Sequence, residues 1–298
     1  MKDVLDCIGN TPIRNIEGVH VKLEYLNPSG SVKDRIAKYM VEKAEQTGLL
    51  KKGHSIVEAS TGNTGTALSM VGAVKGYKVI IFIPKGLSQE RYKMMTAFGA
   101  EVRLVPANKM KLALNKAINL GKRKGYWHPN QFANPWNAEE HEKNMGKEII
   151  KQIGKADAVV AGIGSGGTLI GLAKAFKKTN PKVKVFGVEP QQCALTYEHL
   201  HNMKEVIKPH RIEGIADGFV PPIIYNNFNL IDDVVKVSDS SAIKEAKRIA
   251  KTHGCFVGVS SGANFLAAKI IRKKFKLKKV VTLFPDEGEK YLSEKWFN

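Results

Sequence analysis

The 298-residue chain predicts an α/β protein of two domains, each a mostly parallel, twisted sheet with helices on both faces. Three observations lead there. Short β-branched runs alternate with helical stretches along nearly the whole chain, the pattern of parallel sheets covered on both sides. Gly76, Gly99, Gly125 and Gly254 follow helical stretches as C-terminal caps do. Glycine- and hydroxyl-rich turns join three apolar runs to the helices behind them, at the sheet ends where ligands bind in open parallel folds.

Taken in order, the segment Asn27-Pro28-Ser29-Gly30-Ser31-Val32-Lys33-Asp34-Arg35 enters an amphipathic helix whose buried face is Ile36, Met40, Val41 and Ala44. Ser31 and Asp34 have the spacing of a capping box, with Asp in place of Glu or Gln, and Gly48 is the expected stop. Strands are expected at 55–59, 78–83, 101–105, 158–161, 183–188, 234–237 and 279–284. Helices are expected at 64–75, 88–98, 109–124, 138–153, 168–178, 240–252 and 262–274. A stretch rich in Trp, Pro and Asn at 125–137 crosses between the two blocks. The domains therefore divide as 35–134 and 135–298, with 1–34 adding strands to the second.

Composition narrows the function. A balance of 47 basic to 28 acidic residues, net +19, raises the idea of a nucleic-acid partner. The lysines are scattered, however, as at Lys51-Lys52, Lys177-Lys178 and Lys273-Lys274, and no long basic run carries interleaved aromatics. A solvated lysine coat on a protein with anionic substrates is the plainer reading, with no nucleic acid. Cys7, Cys193 and Cys255 form neither a CxxC pair nor a zinc spacing with the histidines, so no metal is expected. The N-terminus lacks an apolar signal core, and the longest apolar runs, 79–83 and 280–283, are strand-sized. A cytoplasmic protein that does not enter a membrane is expected.

The turns carry the chemistry. Gly162-Ile163-Gly164-Ser165-Gly166-Gly167-Thr168 satisfies GxGxxG, and Glu189 lies at the end of the next expected strand. That is the spacing of a dinucleotide fingerprint, so an NAD-dependent dehydrogenase is a competing reading. Converging backbone amides at a helix N-terminus bind anions in general, and the hydroxyls of Ser165 and Thr168 suit a terminal phosphate monoester. Glu58-Ala59-Ser60-Thr61-Gly62-Asn63-Thr64-Gly65 gathers small donors suited to a carboxylate, and Gly258-Val259-Ser260-Ser261-Gly262-Ala263-Asn264 forms a third such turn. Three such turns can converge on one cleft between the domains. Lys33 falls in the first turn of its helix, where a cation opposes the helix dipole, a setting that suits a Schiff-base lysine.

With these motifs on hand, together with Ile8-Gly9-Asn10-Thr11-Pro12, Lys22-Leu23-Glu24, Gln131-Phe132, Asn134-Pro135 and Val188-Glu189-Pro190, the sequence resembles the cysteine synthase (O-acetylserine sulfhydrylase) and cystathionine β-synthase family. These are pyridoxal 5′-phosphate (PLP) enzymes of fold type II, tryptophan synthase β-like. The resemblance implies Lys33 as the Schiff-base lysine and proton shuttle, Asn63 at the PLP ring hydroxyl, and Gly164, Ser165, Gly166, Gly167 and Thr168 around the 5′-phosphate. It places Ser260 at the pyridine nitrogen. Ser60, Thr61, Gly62, Thr64 and Gln131 would grip the substrate carboxylate, on a smaller, mobile N-terminal domain. Gly214 and Ile215 would line the substrate end. The reaction implied is β-replacement on an O-activated serine through an α-aminoacrylate, in a homodimer that a serine acetyltransferase C-terminal peptide can dock to.

Departures bear on the substrate. Cysteine synthases usually read Gly-Ile-Gly-Ala-Gly-Phe where this chain has Gly214-Ile215-Ala216-Asp217-Gly218-Phe219, and Trp136 stands where alanine is common. The Tyr-Asp pair of cystathionine synthases is absent from this loop, and neither a haem-binding extension nor a regulatory tail is seen. O-acetylserine with sulfide is the leading expectation. O-phosphoserine follows, with His210 and Arg211 as cations near the loop, and homocysteine as nucleophile is third.

Overall fold

The computed structural model describes residues 3–107 and 109–295. In chain order the first half holds β1 (Ile13–Ile16), β2 (Val19–Leu23), α1 (Lys33–Gln46), β3 (Ser55–Ala59), α2 (Asn63–Lys75), β4 (Lys78–Pro84), α3 (Gln89–Ala97), β5 (Glu101–Val105), α4 (Met110–Gly121) and β6 (Tyr126–Trp127). The second half holds α5 (Pro135–Glu140), a π-helical turn (His141–Met145), α6 (Gly146–Ile153), β7 (Ala158–Gly162), α7 (Gly167–Thr179), β8 (Lys184–Pro190) and α8 (Leu195–Leu200). It ends with α9 (Pro222–Tyr225), β9 (Asp233–Val237), α10 (Asp239–His253), α11 (Val259–Lys274) and β10 (Val280–Phe284).

Contacts divide the chain into two compact units. The first comprises Asn27–Gln131 with the described parts of Met1–Ile8 and Glu289–Asn298; the second comprises Gly9–Leu26 and Phe132–Gly288. The first unit holds an all-parallel sheet of order β5-β4-β3-β6. The second holds β1-β2-β10-β7-β8-β9, parallel throughout except for the antiparallel β1–β2 hairpin. Every residue of β10 is buried, as are all but the first of β4 and of β8, so helices cover both faces of each sheet and the strands read as continuous apolar runs.

β1 and β2 lie in the second unit's sheet, as expected of strands from 1–34, but their bounds, and β6, do not follow from the local pattern, each for a physical reason. β2 carries Lys22 at its centre, yet that lysine is 0% exposed: its ammonium donates to the Thr11 carbonyl (2.6 Å) and Gln152 Oε1 (3.1 Å) and pairs with Glu148 (3.0 Å). β1 is an edge strand with two exposed residues, and β6 is only two residues long. The expected helix at 138–153 begins earlier, at Pro135, because Asn134 Oδ1 accepts from the Trp136 amide at 3.0 Å, and it is interrupted by the π-helical turn. The capping box at Ser31 does not form. The buried Asp34 carboxylate accepts instead from the Ser29 amide (2.6 Å) and the Ser29 hydroxyl, while Ser31 Oγ accepts only from the Lys33 amide (3.3 Å). No helix among the described residues is long and apolar enough to cross a membrane.

Candidate active site

In the first unit, Lys33 is the first residue of α1 and is half-buried, held by the Asn27–Val32 turn that the Ser29–Asp34 bonds close. The turn from β3 into α2 is packed and largely self-satisfied. Ser60, 2% exposed, accepts from the amides of Gly62 and Gly65, both at 3.0 Å. The hydroxyl thus organises the loop and keeps its own proton to donate. Thr64 donates its hydroxyl to Gln131 Oε1 at 2.7 Å, and Gln131 Nε2 donates to the Ala59 carbonyl at 3.1 Å. The Gln131 amide orientation is settled by these two bonds. Beneath them the buried Glu58 carboxylate accepts from the amides of Ala59 (2.9 Å) and Gln131 (3.2 Å), and its Oε1 lies 3.0 Å from His128 Nε2. Thr61 is half-buried above this layer, and α2 follows Gly62; Ser60 takes the Gly65 amide of its first turn, and the partial positive charge of the helix start remains at the turn.

In the second unit, β7 leads through Gly162–Gly166 into the 13-residue α7, whose N-terminus has no side-chain cap and no acidic residue in its first turn. Gly164, Gly166 and Gly167 permit approaches that a Cβ would block. An added Cβ would lie 2.4 Å from the Gly214 carbonyl oxygen, 2.6 Å from Ile224 and 1.8 Å from Asn137 Oδ1, respectively. Gly166 also takes φ +86°, open to glycine at little cost. Ser165 Oγ accepts from Asn137 Nδ2 at 2.9 Å, which leaves its proton to be donated away from Asn137, and Thr168 Oγ1 lies 3.2 Å from His141 Nε2. The result is a cup of backbone amides and hydroxyls at the positive end of a helix with no carboxylate among them, a donor set that fits a phosphate monoester. The 214–219 loop is tied to this cup by the Ala216 amide, which donates to the Ile163 carbonyl at 2.8 Å. Ile215 is 6% exposed, Gly214 is exposed and has φ +85°, and Ala216 itself adopts φ +56°. Ser260 is the second residue of α11 and is 4% exposed, where the uncapped Gly258 opens the helix.

The dinucleotide reading fails on Glu189. Its carboxylate, whose protonation burial favours, accepts from the amides of Thr196 and Tyr197 at 3.1 Å and so caps α8. It is part of the fold and not a ribose ligand.

Several supporting residues went unnoticed in the sequence. Asn137 and His141 sit four positions apart, on α5 and the π-helical turn, and both address the cup; the Asn134-Pro135 helix start and this spacing were the available signals. Arg91 of α3 donates to the Thr61 carbonyl at 3.1 Å and lies over the Tyr291 ring at 4.5 Å, and a Cβ at Gly62 would strike its side chain at 2.3 Å. No local pattern announces that contact.

Taken unit by unit, the uncapped helix start fitted to a phosphate monoester and the lysine at a helix entrance agree with a PLP enzyme of fold type II. The chain belongs to the pyridoxal-phosphate dependent enzyme family, which matches residues 4–286. It is 42% identical over 303 residues to a cysteine synthase of Staphylococcus aureus (strain Mu50 / ATCC 700699), covering 98% of this chain and 95% of that one. The crystal structure of cysteine synthase (OASS) from Entamoeba histolytica superposes with a TM-score of 0.90 at 36% identity, over 100% of this chain and 90% of that one. An O-acetylserine dependent cystathionine beta-synthase from Helicobacter pylori gives 0.93 at 34% identity, over 100% and 99%.

Proposed function

We propose that this chain is a cysteine synthase, converting O-acetyl-L-serine and sulfide to L-cysteine and acetate. The observation that carries the reading is the donor-only cup at Gly164–Thr168, joined to near full-length likeness to a cysteine synthase. PLP, when bound, supplies the electron sink that lets an amino acid lose its Cα proton and then its β-substituent.

The protein's part follows from its residues. Lys33 would carry the cofactor, and its Nζ would take the Cα proton of the substrate and later return it. Gly164, Ser165, Gly166, Gly167 and Thr168 hold the phosphate, and Asn63 meets the ring oxygen. Ser260 offers the pyridine nitrogen a hydroxyl; without a carboxylate there the nitrogen gains no stabilising negative charge, which favours prompt loss of the β-group. Thr61 and the Thr64 amide would present donors to the substrate carboxylate, while the Gly62 amide and the Thr64 hydroxyl hold the loop through Ser60 and Gln131. Ser60 and Gln131 act in the same loop, Ser60 by shaping it and Gln131 by holding Thr64. Gly214 and Ile215 line the substrate end.

O-phosphoserine as substrate and homocysteine as nucleophile are the competing readings, the second favoured by the likeness to the Helicobacter pylori enzyme. Against a phosphate-leaving role, His210 Nε2 is engaged with the Ala216 carbonyl at 3.0 Å. The test is direct. Purified protein with PLP is given O-acetylserine, O-phosphoserine or serine, each with sulfide or homocysteine, and the products are identified by mass. Cysteine from O-acetylserine and sulfide at the highest kcat/KM is expected; no product from any pairing refutes the assignment. A cytoplasmic homodimer that accepts a serine acetyltransferase C-terminal peptide completes the proposal, to be checked by light scattering and by peptide titration.

A further inference from the structure

The C-terminal stretch of the first unit contains a lysine with no solvent access. Lys290 is 0% exposed, and its ammonium donates to the Ser29 carbonyl at 2.7 Å and to Asn63 Oδ1 at 3.1 Å. Ser29 belongs to the turn that leads into Lys33, and Asn63 is the first residue of α2. An ammonium has donors only, so it decides which end of the Asn63 amide it faces: the carbonyl oxygen turns to Lys290 and Nδ2 points elsewhere as a donor. Burying an ammonium costs far more than burying an apolar side chain of similar length unless its donors are used, so this position is built for hydrogen bonding and not for packing. The flanking residues anchor the same stretch. Tyr291 lies under Arg91, and Ser293 bonds to the Glu90 carboxylate through its amide (2.9 Å) and hydroxyl (2.7 Å).

We propose that Lys290 is a positioning residue: it fixes Asn63 as a donor for the ring oxygen of PLP and ties Asn63 to the segment that carries Lys33. This rests on the cofactor roles given above to Asn63 and Lys33. Holoenzyme is dialysed against graded free PLP, bound cofactor is read from its visible absorbance, and borohydride fixes the cofactor to the chain for mass mapping. Lys290→Met and Asn63→Ala should each weaken PLP binding about tenfold, the loss of one charge-assisted or site hydrogen bond. The double variant should lose no more than about tenfold, because one residue acts through the other. Lys290→Arg, which keeps the donors, should stay within about threefold of the parent.

Effects that multiply to about a hundredfold, or Lys290→Met binding as the parent does, overturn the proposal. If Lys290→Met does not fold, Lys290→Gln takes its place: its carbonyl can accept from Nδ2 and let the Asn63 amide turn over, so the same loss is expected and parental affinity is again fatal. A parent chain that takes no cofactor onto Lys33 would remove the site reading itself, an outcome distinct from an unchanged Lys290 variant.

Discussion

Replacing Ala216 by glycine should stabilise the protein. Ala216 sits at φ +56°, a left-handed conformation that costs an L-residue about 1–2 kcal/mol through crowding of its Cβ. Two backbone contacts keep it there: its amide donates to the Ile163 carbonyl at 2.8 Å, and its carbonyl accepts from His210 Nε2 at 3.0 Å. Glycine keeps both and removes the crowding. Against that gain stands the extra freedom glycine gives the unfolded chain, about 0.4–1 kcal/mol. The difference is a net stabilisation of about 0–1.6 kcal/mol, centred at ~0.8. Urea unfolding followed by fluorescence and circular dichroism measures it, with coincident transitions and an unchanged m-value as the conditions for comparison. Ala216→Val, which adds β-branching at the same φ, should move the midpoint the other way. If Ala216→Gly is less stable than the parent with m unchanged, the strain assigned to this loop does not exist.

Gly164→Ala should cost about 1–3 kcal/mol and at least tenfold in PLP affinity, because the new Cβ would lie 2.4 Å from the Gly214 carbonyl and both sides of that clash are backbone; parental affinity in equilibrium dialysis would refute it. Glu17 is held at a pKa of about 2, below its ordinary 4.5, by Lys269 first and then by His253 and Arg248. A lowered carboxylate pKa stabilises above pH 4.5 and is lost as pH falls toward 2, so the deficit of Glu17→Gln should be present at pH 7 and fade across that interval. With a third of the Glu17 side chain exposed, solvent screening keeps that deficit below about 1 kcal/mol, and urea midpoints at several pH values check it. Burial, with Glu189 nearby, pushes the Cys193 thiol up to about 11, so at pH 8 it should resist a thiol reagent that labels the exposed Cys7; mass mapping that finds Cys193 labelled as fast as Cys7 would contradict this.

The parts legible in the sequence were those that local pattern controls. Strands 55–59 and 101–105 fall where apolar, β-branched runs end at turns, and Gly76 and Gly254 cap their helices with positive φ. The illegible parts depend on partners far along the chain. Lys22, inside β2, masks an apolar run until Glu148 and Gln152 are brought to it, so the bounds of this buried strand are not legible locally. Ser31 and Asp34 have the spacing of a capping box, but Ser29 competes for the same carboxylate with both its amide and its hydroxyl.

The same competition shapes the functional turns. A donor-rich loop at a helix start signals an anion, and composition alone cannot distinguish donors kept for a ligand from those used by the loop itself. Ser60 illustrates the difference: its oxygen takes up two amides of its own turn, standing where an external carboxylate oxygen would otherwise be needed. The Gly164–Thr168 turn is held by Asn137 on Ser165 and His141 on Thr168, bonds that touch hydroxyls only, and its helix has no side-chain cap. Both turns are braced from elsewhere, the first by Arg91 on Thr61 and Gln131 on Thr64, so the difference between them lies in Ser60, which takes up two amides of its own loop. An uncapped helix start keeps its positive end for an anion, which agrees with the phosphate role proposed for the cup, whereas the Ser60–Gly65 turn has already used part of its donors.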